Sequence, residues 1–328
     1  MKEYILICII GICLLVLELL YFRIADHFNI VDKPNLRSSH KRIVLRGGGI
    51  IFLLGVWIYT AFYGLTYPYF LCGLTLIAGI SFVDDIHSIP NSFRLLAHVV
   101  SIAFMFQEFG ILWLDKWWII ISVFIFCVGV INAFNFMDGI NGITSAFSLA
   151  VLFPLFYLNR IWNFVDNHLL IIVIVSVCIF SIFNFREKAK CFAGDVGAVG
   201  IAFILLFLIG KLVLYTNNPA YLLFFAVYGI DTGLTMIHRI LLHENLGEAH
   251  RKHAYQLMAN ELKISHVLVS SFYMLLQLLI SFGLIFLPIN EWTYFFTVLV
   301  ALIIGYILFV RKYYHLHDEY LKLKKIGL

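Results

Sequence analysis

Residues 80–96 read ISFVDDIHSIPNSFRLL, and they place two adjacent carboxylates, Asp84 and Asp85, between the end of one apolar run and the start of the next. Apolar runs of about 20 residues, the length of a helix that crosses a bilayer, recur along the whole chain. The pattern predicts an all-α, polytopic integral membrane protein. Ionisable residues are costly in such a protein, so we expect the two acids to have a function.

The composition supports this fold class. Of the 328 residues, 62% are hydrophobic and 13% are charged, whereas a soluble domain is about 25% charged. The alternating segments of a membrane β-barrel do not occur in the sequence. The six cysteines have neither metal-ligand nor redox spacing, and we interpret them as apolar filling. A soluble helical protein and a β-barrel are therefore excluded.

We predict about eleven transmembrane helices in one membrane-embedded domain, residues 1–328. The first span is expected to be retained, because no small-residue cleavage site follows it as in a signal peptide. The third span is the shortest, and we expect it to extend through Ile86 or to lie tilted. The predicted spans are residues 4–22, 47–64, 68–83, 93–108, 117–134, 143–159, 168–184, 197–214, 220–238, 264–288 and 292–311.

The basic residues distinguish the two sides of the membrane. Of the 23 lysines and arginines, 19 lie in one alternate set of connections. Positive residues stay on the cytoplasmic side, so the N-terminus is predicted outside and the C-terminus in the cytoplasm. Most polar side chains lie in the same connections, and we expect the chemistry there. These connections are residues 23–46, 84–94, 135–142, 185–196 and 239–263 and the tail from Arg311.

The first of these connections is a basic segment, VDKPNLRSSHKRIVLRGGG, at residues 31–49. It contains Arg37, His40 and Arg46 and ends in three glycines. Basic side chains beside the bare N–H groups of a helix start form an anion site. The alternative is an ordinary positively charged loop that binds anionic lipid headgroups.

The acidic pair lies in the second connection. Adjacent residues of a helix point about 100° apart, so Asp84 and Asp85 are not expected to chelate one ion together. We predict that one faces a metal or another cation, and that the other faces a phosphate-bearing substrate or a basic side chain. The alternative is a pair of solvated acids at a helix end.

The segment NAFNFMDGINGITS repeats polar residues at intervals of three. Asn135, Asp138 and Asn141 would form one polar strip on a helix. Amide and carboxylate oxygens suit a hard divalent cation, and amides also bind nucleobase edges. The alternative is a re-entrant turn packed with polar side chains. Asp195, in CFAGDVGAVG, is a further candidate, although an acid at a helix start is commonly only a cap.

The segment EAHRKHAYQ contains His250, Arg251 and His253. His and Arg side chains serve oxyanions through charge and hydrogen bonds. A zinc site lacks a third ligand at a diagnostic spacing, and a solvated charged loop is the other alternative. All of these segments lie on one predicted side of the membrane. Together they indicate a metal-bridged phosphate site and a phosphoryl transfer.

In this order, the motifs PNLRSSH, RGGG, DD, NAFNFMDGING, FAGDVG and EAHRKHAYQ resemble the bacterial polyprenyl-phosphate N-acetylhexosamine-1-phosphate transferases of glycosyltransferase family 4. The last motif is closest to the enzymes that initiate O-antigen and capsule synthesis. The resemblance implies that undecaprenyl phosphate attacks the β-phosphorus of a UDP-N-acetyl sugar and that UMP leaves. It also implies a bacterial inner (plasma) membrane protein with a cytoplasmic active site, Mg²⁺ or Mn²⁺ as cofactor, no nucleic-acid partner, and a homodimer in some members.

The resemblance assigns roles to the residues that match the motifs. Asp195 is the expected metal ligand, with Asn135 as a second, and Asn141 and Phe192 match positions that hold the uracil. The expected catalytic residues are Asp84, Asp85, His250 and His253, and the expected substrate-binding residues are Arg37, His40, Arg46, Asp138, Asn141, Phe192 and Arg251.

The chemistry of the lipid substrate limits the role of the acidic pair. A phosphate monoester has its second pKa near 6, so a lipid phosphate is mostly dianionic at neutral pH. A general base is therefore not obligatory. For Asp84 and Asp85 we favour positioning and metal organisation over proton abstraction.

A transporter or flippase for an anionic or lipid-linked substrate is the alternative from another functional class. Transporters place polar groups near the bilayer midplane in broken helices, often in repeated halves. Here the polar groups lie at the ends of predicted spans, and the sequence shows no internal repeat. The transferase is therefore the favoured function.

Overall fold

The computed structural model describes residues 2–34, 39, 42–113, 115–245 and 250–325. Two predicted substrate-binding residues, Arg37 and His40, lie outside these ranges. Within the ranges the chain is mostly helical, with one two-stranded sheet. This confirms the predicted all-α class.

The long helices follow the order of the predicted spans. A 3₁₀ segment, Pro219–Phe225, leads into the ninth helix, and a π-helical segment, Leu257–Glu261, follows the short tenth helix. The helices are α1 (Lys2–His27), α2 (Ile50–Tyr63), α3 (Pro68–Ile86), α4 (Asn91–Phe109), α5 (Trp117–Met137), α6 (Ile143–Trp162), α7 (Asn167–Asn184), α8 (Gly194–Thr216), α9 (Ala226–Leu241), α10 (Ala254–Gln256), α11 (His266–Phe286) and α12 (Glu291–Lys325).

Nine helical segments of the described chain are long and apolar enough to cross a membrane. α2 is apolar but has only 14 residues, and α4 carries polar residues near both of its ends. The polytopic membrane fold is confirmed, whereas the count of eleven spans and their orientation stay predictions. The nine segments are Tyr4–His27, Pro68–Ile86, Trp117–Met137, Ile143–Trp162, Asn167–Asn184, Gly194–Thr216, Pro219–Leu241, His266–Phe286 and Glu291–His317.

Two helix boundaries matter for the polar segments. α3 continues to Ile86, so Asp84 and Asp85 lie in its last turn. α2 begins only at Ile50, and the three preceding glycines form a turn instead of the first turn of the helix. Gly47 has a φ of +81° in this turn, a conformation that glycine adopts readily and other residues rarely adopt.

The polar strip predicted for the NAFNFMDGING motif is wrong as a single helical face. α5 ends one residue before Asp138, which lies at its C-terminal cap. Gly142 has a φ of +83°, and a Cβ there would lie 2.1 Å from the Phe185 ring. The glycine turn therefore overrides the helical period. Asn135 lies on the helix, and Asn141 lies in the turn that follows it.

α8 forms the centre of the helix bundle, and 83% of the residues in its most apolar stretch are buried. Its first turn lies against the start of α2, where a Cβ on Gly49 would lie 2.3 Å from the Gly197 Cα. Further along, Phe70 of α3 stacks on Phe207 with ring centroids 4.0 Å apart. This packing brings Asp195, in the first turn of α8, to the ends of α2 and α3.

The basic segment is joined by backbone hydrogen bonds to the residues before α8. Strand β1 (Val31–Asp32) pairs in antiparallel fashion with β2 (Val44–Leu45). The Phe192 N–H donates to the Leu45 carbonyl at 2.8 Å, and the Gly48 N–H donates to the Phe192 carbonyl at 2.9 Å. The backbone of Phe192 is thereby held in place, and its half-buried ring stays a predicted uracil contact.

Candidate functional site

Asp85 connects α3 to the start of α8. Its side chain is fully buried and accepts the backbone N–H groups of Asp195 and Val196 at 2.9 and 3.0 Å. It therefore caps the N-terminus of α8, where the helix dipole favours a negative charge. The cap that the sequence suggested at Asp195 is provided by Asp85, and the Asp195 carboxylate is left to other partners.

Two arginines connect the acids to one another. Arg46 places Nε 2.7 Å from Asp85 Oδ1 and Nη2 3.2 Å from Asp195 Oδ1. Arg94, in the first turn of α4, places Nη1 3.1 Å from Asp84 Oδ2 and Nη2 3.2 Å from Asp195 Oδ2. Each oxygen of Asp195 thus has a guanidinium partner. We call these residues the acid–arginine cluster: Asp84, Asp85, Asp195, Arg46 and Arg94.

Asp84 and Asp85 face different partners, as the 100° between adjacent helical residues predicts. Asp84 pairs with Arg94 and accepts the Ile89 N–H at 2.7 Å, so it shapes the turn between α3 and α4. Asp85 faces Arg46 and the start of α8. The two acids therefore hold two different parts of the cluster, while their chemical roles stay predictions.

Arg94 was not among the predicted site residues. It is the one Lys or Arg of the 84–94 connection, and it lies in the first turn of a helix. A positive charge there opposes the helix dipole, so it needs an acidic partner. This position was the signal in the sequence that could have identified it.

A fourth carboxyl group, Asp138, interacts electrostatically with the cluster. The Thr144 hydroxyl donates to Asp138 Oδ1 at 2.6 Å. Burial raises the pKa of Asp138 to about 7, and the nearby Asp195 and Asp85 carboxylates act in the same direction. Near neutral pH the group is therefore only partly ionised, and a cation bound nearby would favour its charged form.

The donor set fits a hard divalent cation by its chemistry. Three carboxylates pair with two guanidinium groups, Asp138 adds a fourth carboxyl group that interacts with them electrostatically, and carboxylate oxygens are ligands that Mg²⁺ uses. Among the three acids paired with arginine, Asp195 is the most exposed, with 19% of its side chain exposed against 9% for Asp84 and 0% for Asp85. Within the described ranges, no three His, Cys, Asp or Glu side chains already form a metal-binding group. Because each Asp195 oxygen already lies 3.2 Å from a guanidinium nitrogen, a cation at Asp195 would compete with Arg46 or Arg94.

Asn141 is buried and holds the loop before α8. Its side-chain NH₂ donates to the carbonyl oxygens of Arg186 and Glu187, each at 2.9 Å, and its backbone N–H donates to His266 Nδ1 at 3.3 Å. Asn135 is half-buried in the last turn of α5, and its side chain makes no hydrogen bond to the described part of the chain. The expected roles of these residues in uracil and metal binding stay predictions.

Asp231, a buried acid in α9, anchors the histidine loop, which we define as residues 250–256. It accepts the N–H groups of Ala254 and Tyr255 at 2.9 and 3.3 Å and the Tyr273 hydroxyl at 2.6 Å. Asp231 was not a predicted site residue. Its signal was an acid inside an apolar span, which marks a functional or anchoring position.

The two histidines lie beside the end of α5. The ring centroids of His250 and His253 are 6.4 and 6.3 Å from that of Phe136. Burial lowers the pKa of His250 to about 3, and the neighbouring His253 and Arg239 act in the same direction. His250 is therefore neutral at physiological pH. It can offer a hydrogen bond to an oxyanion but no charge.

Arg251 is a charged member of the histidine loop. Its Nη2 lies 3.9 Å from Glu261 Oε1, and the same oxygen lies 3.0 Å from His317 Nδ1. Because His317 belongs to α12, this helix braces the region of the loop. The contact of Arg251 with a substrate stays a prediction.

An apolar groove of about 680 Å³ lies between α5, α9 and α12. It is open because a Cβ on Gly129, Gly229 or Gly233 would have nothing within 4 Å. Phe136, in the last turn of α5, lines one end of the groove and lies beside the histidines. The groove therefore leads from the apolar body of the bundle to the histidine loop.

Residues 67–213 of the chain match glycosyl transferase family 4. The match runs from α3 into α8, so it contains the acid–arginine cluster apart from Arg46. The histidine loop lies beyond it.

Three similar proteins align over longer segments. A probable undecaprenyl-phosphate N-acetylglucosaminyl 1-phosphate transferase of Bacillus subtilis is 26% identical over 258 residues, which cover 72% of this chain and 72% of that protein. A phospho-N-acetylmuramoyl-pentapeptide-transferase of Thermotoga neapolitana is 28% identical over 190 residues, 52% and 60% of the two chains. An undecaprenyl-phosphate alpha-N-acetylglucosaminyl 1-phosphate transferase of Escherichia coli K12 is 25% identical over 228 residues, 61% and 60%. The chain thus spans less than two thirds of the latter two proteins.

We expect Tyr273→Phe and Asp231→Asn to loosen the histidine loop. The first removes one hydrogen bond to a buried carboxylate, worth about 1.5–3 kcal/mol, and the second removes the charge that all three donors face. Trypsin should therefore cleave after Arg251 and Lys252 faster in both variants, and fastest in Asp231→Asn. The control is Tyr294→Phe, which loses a hydroxyl bonded to the Ile280 carbonyl in another part of the bundle. Equal cleavage in all of these proteins would contradict the anchoring role.

Proposed function

The chain belongs to glycosyl transferase family 4, and we propose that it transfers N-acetylhexosamine 1-phosphate from a UDP-sugar to undecaprenyl phosphate with release of UMP. The product is a polyprenyl-diphosphate sugar, the first membrane intermediate of a cell-envelope polysaccharide such as O-antigen or capsule. The proposal rests mainly on the arrangement of groups at the end of α5. There the apolar groove reaches Phe136, and Asp138 interacts with the acid–arginine cluster.

The groove and the cluster fit the two parts of a polyprenyl phosphate. The isoprenoid tail is apolar and would lie along the glycine-lined groove between α5 and α9. Its phosphate would then reach the end of α5, close to Arg46 and Arg94. Guanidinium groups bind phosphate through paired hydrogen bonds. This arrangement supports a lipid phosphate as one substrate.

In the proposed transfer, a lipid phosphate oxygen bonds to the β-phosphorus of the UDP-sugar, and the bond to the bridging oxygen breaks so that UMP leaves. Negative charge on the phosphoryl oxygens must be offset. Arg46 and Arg94 would provide that charge, and Asp84 and Asp85 would hold the two guanidinium groups in place. The ion pairs of these acids support a positioning role, in which neither abstracts a proton.

We further propose that Asp195 binds Mg²⁺, or Mn²⁺ in its place, with Asn135 as a second ligand. A bound cation supplies positive charge beside the diphosphate. The excess of carboxyl groups over guanidinium groups and the exposure of Asp195 support this assignment. Asn141 and Phe192 would hold the uracil, and His250 and Arg251 would contact the diphosphate. Phe192, His250 and Arg251 lie in connections that carry three and four basic residues, so we propose that the site lies at the cytoplasmic face of the bacterial inner membrane.

The test is the release of UMP by the purified protein with undecaprenyl phosphate, Mg²⁺ and a panel of UDP-N-acetyl sugars. We expect release that requires the lipid phosphate and that Asp195→Asn lowers by at least about a hundredfold. The control is Arg160→Gln. Arg160 is exposed in the last turn of α6, at the opposite end of that helix from Asp138 and Asn141, so this variant should keep the wild-type rate. Absence of UMP with every sugar nucleotide would contradict the transferase and favour the transporter or flippase.

Arg94 and a divalent cation are expected to compete for Asp195. Arg94→Gln removes the partner of Asp195 Oδ2, so it should raise the affinity for Mn²⁺ about tenfold, or about 1.4 kcal/mol. Electron paramagnetic resonance of free Mn²⁺, without substrates, measures this directly. Lys188→Gln removes an exposed positive charge from the loop before α8 and should change the affinity far less. Equal Mn²⁺ affinity in Arg94→Gln and the wild type would contradict the competition.

Gly233→Leu is expected to obstruct the groove, because a side chain there projects into open space. We expect the KM for undecaprenyl phosphate to rise about tenfold, with a smaller effect for a polyprenyl phosphate too short to fill the groove. Gly305→Leu on α12 is the matched control, since its position is equally open but lies outside this groove. An equal effect of Gly233→Leu on both chain lengths would contradict binding of the tail in the groove.

A further inference from the structure

α1 carries an acid that the proposed function does not use. Glu18 lies inside the membrane-spanning segment Tyr4–His27 and is only 1% exposed. Its Oε2 has no hydrogen-bond partner, and no cation of the described chain forms an ion pair with it. A buried polar atom without a hydrogen-bond partner, such as this oxygen, is costly. An ionisable residue inside a membrane is therefore a candidate for a functional role.

Glu18 lies against two of the segments that build the acid–arginine cluster, the one that carries Arg46 and the one that leads to Asp195. The Cys191 thiol lies 3.9 Å from Glu18 Oε1. A Cβ on Gly48 would lie 3.2 Å from the same oxygen and 2.8 Å from Cys191 Sγ. The carboxyl group thus fills the space beneath the contact between the glycine turn and Cys191, and glycine at position 48 leaves room for it.

Tyr21 lies three residues after Glu18, on the same face of α1. Its hydroxyl donates to the Arg46 carbonyl oxygen at 2.6 Å, and a Cβ on Gly47 would lie 2.4 Å from that hydroxyl. Two polar side chains of α1 therefore contact three consecutive residues, 46–48.

We propose that Glu18 is a positioning residue that keeps the Arg46 segment and the Cys191–Asp195 segment in register. The register is set by backbone hydrogen bonds from Gly48 to Phe192 and from Gly49 to Ala193, and Glu18 lies beside Gly48 and Cys191, next to the first of these bonds.

This register determines where the Arg46 guanidinium group lies, and that group contacts both Asp85 and Asp195. A shift of about 1 Å between positioned groups can lower a reaction rate about a hundredfold. The effect of Glu18 on catalysis rests on the proposed function. Its effect on the contact between the two segments does not.

The structural part is tested by the reactivity of Cys191, in a chain whose other five cysteines are replaced by serine or alanine. Cys191 is fully buried, so N-ethylmaleimide should label it slowly. Glu18→Ala opens a cavity beside the thiol, and we expect the labelling rate, measured by mass spectrometry, to rise about tenfold or more. Glu18→Gln keeps the shape of the side chain and should label like the wild type. Leu19→Ala, which shortens the exposed side chain next to Glu18, should also leave the labelling rate of Cys191 unchanged.

The catalytic part is tested by UMP release with the same variants. We expect Glu18→Ala to lose about tenfold to a hundredfold in kcat, and Glu18→Gln to restore it to within about threefold of the wild type. Wild-type labelling and turnover in Glu18→Ala would overturn the proposal, and so would a loss in Glu18→Gln as large as in Glu18→Ala. If the wild type itself releases no UMP, the proposed function fails, while the labelling rates still decide whether Glu18 holds the two segments together.

If Glu18→Ala does not fold, Glu18→Asp, which withdraws the carboxyl by one methylene, takes its place in both assays.

Discussion

The contact between the Asp85 carboxylate and the N-terminus of α8 is the interaction on which the site depends. A buried acid is stable there because two backbone N–H groups and one guanidinium group share its charge. The contact joins the end of α3 to the start of the central helix. It also leaves the neighbouring Asp195 side chain free to face Arg46 and Arg94, which bring in the glycine turn and α4.

The second constraint is the need for polar chemistry at the end of an apolar bundle. Charges inside a membrane are costly, so the acids and arginines neutralise one another in a compact cluster instead of standing alone. Close glycine contacts, such as Gly49 against Gly197, allow the backbone segments to approach closely enough for this. Phe136, which lines the apolar groove, lies beside the histidine loop, and Asp138 follows two residues later. A substrate with a charged head and a long apolar tail fits this division.

The sequence predicted the helices, the acidic pair and the segments that carry polar chemistry, because each of these depends on local pattern. It did not predict Arg94 as the partner of Asp195, or Asp231 as the anchor of the histidine loop. Those pairings join residues far apart in the chain, and a single sequence contains no distance information. The polar strip predicted for Asn135, Asp138 and Asn141 is wrong because the helix ends at Met137 and a glycine turn follows. Glu18 lies within the first predicted span, and its sequence position gives no indication of the residues that it contacts.

By itself, the sequence determined that this is a polytopic helical membrane protein with its polar residues gathered at helix ends. The lengths of the apolar segments and the positions of the charged residues can both be read directly from the sequence. Only the tertiary structure decided which charges meet. Asp85 became a helix cap, Asp195 a carboxylate between two arginines, and Glu18 a buried neighbour of the glycine turn. The physical reason is that an ion pair or a cap depends on distances of about 3 Å between groups. Such distances are set by the packing of whole helices, which no local pattern specifies.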